Sequence, residues 1–170
     1  KEHVLCNGAL AGALRSLLGK NFILPSQISN HRSECPNPVA QDWHWDGGSK
    51  YGSQINYLLV FYYPERCPRE MGPTEIVPGS HFLFSPSSRM GHYGRIRGSY
   101  YAVCDPGSIV VMMYSMWHRR SESWGTGIRN NFKLCYWRNN PPARDWIREP
   151  DFDLRTANYS YDGLLLVVHL

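Results

Sequence analysis

The chain has 170 residues, of which 42% are hydrophobic, 14% aromatic and 19% charged; this excludes a disordered chain and suits one folded domain with a sizeable core. The net charge of +4 comes from scattered Arg and Lys rather than a basic run or helix. No nucleic-acid partner is expected from such a pattern, whereas a small anionic substrate is compatible with it.

Residues 2–18 form the one convincing helical pattern. Leu5, Ala9, Leu10, Ala13, Leu14, Leu17 and Leu18 recur at three- and four-residue spacing, and Gly19 with Lys20 supplies a C-terminal stop. This helix is expected to pack on a sheet. Short segments rich in aromatic and β-branched residues follow, at 21–28, 42–46, 55–63, 74–77, 100–104, 108–117 and 130–138. Pro64, Met71-Gly72-Pro73, Pro78-Gly79-Ser80 and Asp105-Pro106-Gly107 punctuate them as turns. The predicted architecture is an all-β core of jelly-roll type behind an N-terminal helix. Residues 81–99, polar and rich in Ser, Gly and Arg, read as a loop over one mouth of the barrel. Residues 141–153 are rich in Pro and charge, and 161–170 end in an apolar run expected to pair at a sheet edge.

Cys6, Cys35, Cys67, Cys104 and Cys135 are widely spaced, and no C-x-x-C pair occurs. Reduced thiols in a cytoplasmic protein are the simpler reading, with an extracellular chain carrying two bridges as the alternative. No apolar run approaches the ~20 residues of a membrane helix. The first residue is Lys1 rather than Met, so the sequence reads as a fragment or processed product.

Two segments carry chemistry. In Gln41-Asp42-Trp43-His44-Trp45-Asp46-Gly47-Gly48, His44 and Asp46 stand two apart, which on an extended segment puts both on one face. Far downstream lies His118, with Arg129 eleven residues on. Two imidazoles and one carboxylate form the facial triad of non-haem iron(II) oxygenases, leaving half the coordination sphere open. An Arg beside such a site offers a permanently charged fork suited to a dicarboxylic co-substrate such as 2-oxoglutarate. The bland alternatives are a surface His and a turn-forming Asp at 44 and 46, a strand-end His at 118 and a solvated charge at 129.

His44-Trp45-Asp46, the run from Met71-Gly72-Pro73-Thr74-Glu75-Ile76-Val77-Pro78-Gly79-Ser80-His81, and His118 with Arg129 together resemble the phytanoyl-CoA dioxygenase family. The likeness runs in one order from about Gln41 to Arg138. It implies a double-stranded β-helix, the cupin-like jelly-roll variant. It also implies an iron(II)- and 2-oxoglutarate-dependent hydroxylase of a small organic substrate that consumes dioxygen and releases succinate and CO2. His44, Asp46 and His118 are the implied metal ligands and Arg129 the implied co-substrate residue. His81, in the Pro-Gly-Ser-His turn, is read as structural. Thr74, Tyr57, Phe61 and Tyr62 are candidates to line the cavity.

The chain departs from the resembled pattern twice. Arg120 stands where relatives carry a small hydroxyl residue two places after the distal His. Only Lys1 and Lys20 precede the His-x-Asp segment, and neither has the spacing of the family's upstream co-substrate Lys. A carboxylate at Asp46 favours hydroxylation over halogenation, which needs a small residue there. Two other functions stay open: a cupin-type isomerase or 2-oxoglutarate-independent dioxygenase using the same ligands, and a non-catalytic jelly-roll binding module.

Overall fold

The computed structural model describes residues 2–46, 55–83, 90 and 92–139. Helix formation occurs where the leucine spacing predicts it, but the chain breaks at Cys6 and Asn7 into α1 (Glu2–Leu5) and α2 (Gly8–Leu18). Asn7 is the local cause. Its backbone is extended, and its side chain accepts a 2.9 Å hydrogen bond from the Leu10 N–H, a donor that the first turn of α2 cannot satisfy internally. Leu10, Leu14 and Leu18 form the buried ridge of α2 and Val4 extends it, whereas Leu5 and Ala9 are exposed.

The strands among the described residues are β1 (Ser29–Asn30), β2 (Ser33–Asn37), β3 (Tyr57–Tyr63), β4 (Thr74–Ile76), β5 (Tyr100–Tyr101), β6 (Ser108–Met113), β7 (His118–Arg120), β8 (Ser123–Arg129) and β9 (Phe132–Trp137). They pair antiparallel into a major sheet ordered β1-β9-β3-β6, a smaller sheet ordered β5-β4-β7 and the ribbon β2-β8. Strand β3 is central, and both of its faces are covered. Leu58 and Val60 join Leu134, Tyr136 and the helix leucines in one core cluster. Leu59, Phe61 and Tyr63 join Met112, Ile76 and Ala102 in a second cluster between the major and smaller sheets. This is the period of two expected of a strand, with an apolar residue at each step because neither face meets water.

Several strand boundaries differ from the sequence expectation, for reasons visible in the hydrogen bonding. Residues 21–28 contain no strand; Ile23 alone bridges Trp137, and Pro25 has no N–H to extend the ladder. Residues 42–46 likewise make one bridge, His44 to His118. The apolar run expected over 108–117 forms one strand, β6, which ends in a turn after Met113, where the Met116 N–H bonds the Met113 carbonyl; β7 begins only at His118. Arg129 ends β8, just ahead of the strand expected at 130–138, which is β9. Strand β8 was not expected because Gly125 and Gly127 interrupt its pattern. Gly125 nonetheless suits a close approach there: an added Cβ would meet Met71 Sδ at 3.0 Å and the Glu70 carbonyl at 3.1 Å. The expected mouth loop at 81–99 is only partly described, and the expectations for 141–153 and 161–170 lie outside the described residues.

Gly72 ends the 3-10 turn Arg69–Met71 in the left-handed region, with φ +67°, and its missing Cβ leaves room for the Ser121 carbonyl, which would lie 2.8 Å away. Gly72→Ala is therefore expected to lose more than about 1 kcal/mol of stability. A urea unfolding midpoint at or above that of the wild type would refute this packing.

Candidate metal centre

The residues that converge on one point are brought there by backbone pairing. On the free edge of β7, His44 and His118 bond each other through both backbones, His44 N–H to the His118 carbonyl at 3.1 Å and the reverse at 2.8 Å. Such a mutually bonded antiparallel pair places two side chains side by side on one face. The imidazole centroids stand 4.5 Å apart. Gln41 extends the attachment, since its N–H bonds the Arg120 carbonyl at 2.9 Å and its side-chain oxygen accepts the Arg120 N–H at 3.3 Å. Asp46, two residues after His44, brings its carboxylate to the same point.

His44, Asp46 and His118 form a group whose ligand atoms all lie within 4.8 Å of one another, and no other such group occurs among the described residues. The hydrogen bonds around both rings set their tautomers. His44 Nδ1 is 2.8 Å from the Asp42 carbonyl and His118 Nδ1 is 2.9 Å from the Met116 carbonyl. A carbonyl can only accept, so each Nδ1 carries the proton and each Nε2 lone pair is left for a metal. Burial, with His44 beside it, pushes the His118 pKa down to about 4, so this ring is neutral at neutral pH. Its 3.8 Å approach to Asp46 Oδ2 is accordingly a contact between two prospective ligands and not an ion pair. Two imidazoles that present Nε2 and a carboxylate fit a divalent iron-type ion.

The opposite face of the smaller sheet fixes this geometry from behind. Glu75 and Arg119 are register partners and form a buried pair, with Arg119 Nε 2.7 Å from Oε2 and Ser99 Oγ donating to Oε1 at 2.6 Å. The Arg119 guanidinium also lies over the Trp43 ring at 4.3 Å, and the Trp43 indole N–H bonds the Gly94 carbonyl at 2.8 Å. Trp43 and Arg119, each next to a histidine ligand, are thus tied down on the far side. The Pro-Gly-Ser-His turn contributes through Ser80, whose buried hydroxyl donates to the Val77 carbonyl at 2.7 Å and accepts the Trp117 N–H at 2.8 Å. The His81 and Phe82 ring centroids lie 4.0 Å apart, and His81 stands outside the ligand group.

Arg129 is 5% exposed. One nitrogen, Nη2, donates to Ser33 Oγ at 3.0 Å, while Nε and Nη1 are buried without a hydrogen-bond partner among the described residues. A buried guanidinium with open donors is costly unless an anion completes it. Close by lies a buried polar cluster in which Tyr63 and Thr74 share a 2.7 Å hydrogen bond and Asn131 Nδ2 reaches both at 3.4 Å. Burial pushes the Tyr63 phenol up to about 12, a shift opposed by its bond to Thr74 and by the charge of Arg129.

Of the expected lining residues, Phe61 stands 5.9 Å from the His118 ring and Thr74 belongs to the polar cluster. Tyr62 instead faces the helices, lining a pocket with Val4, Ile28, Phe132 and Leu134, and Tyr57 sits exposed beside Tyr114. Arg120, half-buried, donates to the carbonyls of Val39 at 2.7 Å and Ser121 at 3.1 Å.

Two residues escaped the sequence reading. Tyr63 shares the inward parity of Phe61. Lys133, a charge in the otherwise apolar strand β9, places Nζ 2.7 Å from Asp46 Oδ2. All five cysteines are free thiols. No helix among the described residues is long and apolar enough to cross a membrane.

No protein-family model and no curated protein sequence matches the chain. Solved structures do match. A non-haem monooxygenase, ThoJ, in complex with nickel superimposes with a TM-score of 0.64 at 19% identity, over 81% of this chain and 53% of that one. HygX from Streptomyces hygroscopicus, with nickel, 2-oxoglutarate and hygromycin B bound, gives 0.62 at 14% identity over 79% of this chain and 63% of that one. SnoN, a non-haem α-ketoglutarate-dependent epimerase from nogalamycin biosynthesis, gives 0.60 at 17% identity over 78% and 53%. The chain spans about half the length of the ThoJ and SnoN structures. At these identities the likeness establishes a shared fold, a β-rich core common to non-haem oxygenases and related enzymes.

The Glu75–Arg119 pair makes a sharp stability test. Glu75→Ala leaves a buried guanidinium without its anion and is expected to cost about 3 to 5 kcal/mol, most of it recovered in the double variant Glu75→Leu/Arg119→Met. Denaturant unfolding of the wild type and the two variants measures this; a double variant no more stable than Glu75→Ala would refute the coupling.

Proposed function

We propose that this chain is an iron(II)- and 2-oxoglutarate-dependent dioxygenase of the phytanoyl-CoA dioxygenase type, built on a double-stranded β-helix, that hydroxylates an aliphatic carbon of a small organic substrate. The observation that carries the reading is the convergence of two Nε2 lone pairs and one carboxylate at a single point, with ligand atoms within 4.8 Å. Three ligands on one face leave the remaining positions of the ion for co-substrate and dioxygen. The bound iron and 2-oxoglutarate supply, with dioxygen, an oxidant able to break an aliphatic C–H bond, with succinate and CO2 as co-products.

The residues of the chain bind and orient. His44 and His118 present Nε2 because the Asp42 and Met116 carbonyls hold their Nδ1 protons. Asp46 supplies the third donor, an anionic one, which favours hydroxylation over halogenation. Arg129 supplies the buried donors for the far carboxylate of 2-oxoglutarate, with Ser33 fixing the plane of its guanidinium through Nη2. Phe61, against the His118 ring, and the apolar cluster below it keep water from that side of the centre.

Anaerobic addition of iron(II) and 2-oxoglutarate is expected to raise a visible charge-transfer band, which neither a cupin isomerase nor a binding module gives. Asp46→Ala should abolish that band and weaken Mn(II) binding; retention of both contradicts the ligand assignment. Arg129→Ala should raise the 2-oxoglutarate Kd about ten- to a hundredfold, corresponding to ~1.5 to 3 kcal/mol, with the metal Kd little changed. Equal losses of both would contradict the role given to Arg129.

A further inference from the structure

Strand β9 reads Phe-Lys-Leu-Cys-Tyr-Trp, and its lone charge, Lys133, lies on the face turned to the ligand group. The side chain keeps 20% of its exposure, and Nζ stands 2.7 Å from Asp46 Oδ2. A cation surrenders that much water only against an anion. Asp46, however, is a shared anion: the same oxygen faces His118 Nε2 at 3.8 Å, and under the proposed function its charge goes to a divalent ion.

Charge balance then points to a further ligand. Iron(II), Arg129 and Lys133 bring four positive charges to the site, whereas Asp46 and a doubly ionised 2-oxoglutarate return three. The far carboxylate of the co-substrate belongs to Arg129, so the surplus falls at Lys133. His31 senses the same concentration of cations. Partial burial first, then Lys133, and more weakly Arg129 and His44, hold its pKa below the usual imidazole value, against the opposing pull of Asp46. On the Arg129 side, Arg120 adds another guanidinium, already committed to the Val39 and Ser121 carbonyls. Among the described residues no second carboxylate is paired with Lys133.

We propose that Lys133 recognises an anionic oxygen group, of carboxylate, sulfonate or phosphate type, held beside the metal ion, and that the charge balance makes this group part of the substrate, which is therefore an acid. The inference rests on the dioxygenase reading. The same chemistry could be presented by the metal-side carboxylate of 2-oxoglutarate, and one experiment separates the two sources.

Wild type, Lys133→Met and Lys133→Arg are titrated anaerobically with 2-oxoglutarate in the presence of iron(II), following the charge-transfer band. At saturation, acetate, methanesulfonate and methyl phosphate are then added at constant ionic strength. Wild type and the Arg variant are expected to show a saturable shift of the band with at least one anion. The Met variant should lose that shift, or need at least ten times more anion, while its 2-oxoglutarate Kd stays within about twofold. A tenfold weaker 2-oxoglutarate Kd in the Met variant would instead assign the anion to the co-substrate and overturn the acidic substrate. Identical titrations in all three proteins would overturn the role of Lys133 and leave the dioxygenase reading standing. Mn(II) binding, read by its electron paramagnetic resonance signal, reports the integrity of the ligand group. Its loss in both Lys133→Met and Lys133→Gln would overturn the proposal in favour of a role in holding Asp46. Absence of any band in the wild type would remove the dioxygenase reading and the role of Lys133 with it.

Discussion

Two backbone hydrogen bonds between His44 and His118 are the constraint on which the site depends. They join segments 74 positions apart in sequence and set their register to the residue. A slip of one position would turn His118 to the far face and bring Arg119 inward, because side chains alternate along a strand. The alternatives are made costly from behind. Arg119 is committed to Glu75 and Trp43, Trp117 to Ser80 through its backbone N–H, and Trp43 to the Gly94 carbonyl. The polar pair on the outer face thus acts as a register lock for the metal-ligand pair on the inner one.

The major sheet supplies the other wall. Strand β3 lies between β6 and β9 and is apolar on both faces, so the helices cover one side and the interior cluster fills the other. Polar residues that break this pattern do so in meaningful places. Tyr63, Thr74 and Asn131 satisfy one another within hydrogen-bond reach, yet Asn131 Oδ1 and two nitrogens of Arg129 remain without a partner among the described residues. Buried polar atoms left open in an otherwise satisfied interior mark a place for a ligand rather than for packing.

Fold and chemistry make separate claims here. The shared fold with ThoJ, HygX and SnoN extends to enzymes named as a monooxygenase and as an epimerase, so the fold by itself does not select a reaction. The ligand set does more, since the tautomers, the neutral His118 and the carboxylate at Asp46 all suit one divalent ion. Lys133 adds a discriminating charge, and it is a feature of this chain's own interior.

Much of this was legible in the residues. The amphipathic leucine ridge, the β-rich core, and the His-x-Asp pair with its distal partner all follow from local periodicity and residue chemistry. Strand β8 was hidden because its glycines serve the close approach of the turn at Glu70 and Met71, a contact that no local pattern records. Tyr62 was misplaced and Tyr63 overlooked for a related reason: parity says that they face opposite ways, but only packing says which way is inward. The sequence by itself determined which groups are available and at what spacing. Only the tertiary structure decided that Lys133 meets Asp46 and that Arg129 is buried with donors open among the described residues, because long-range strand register, not chain neighbourhood, sets which charges share one water-poor space.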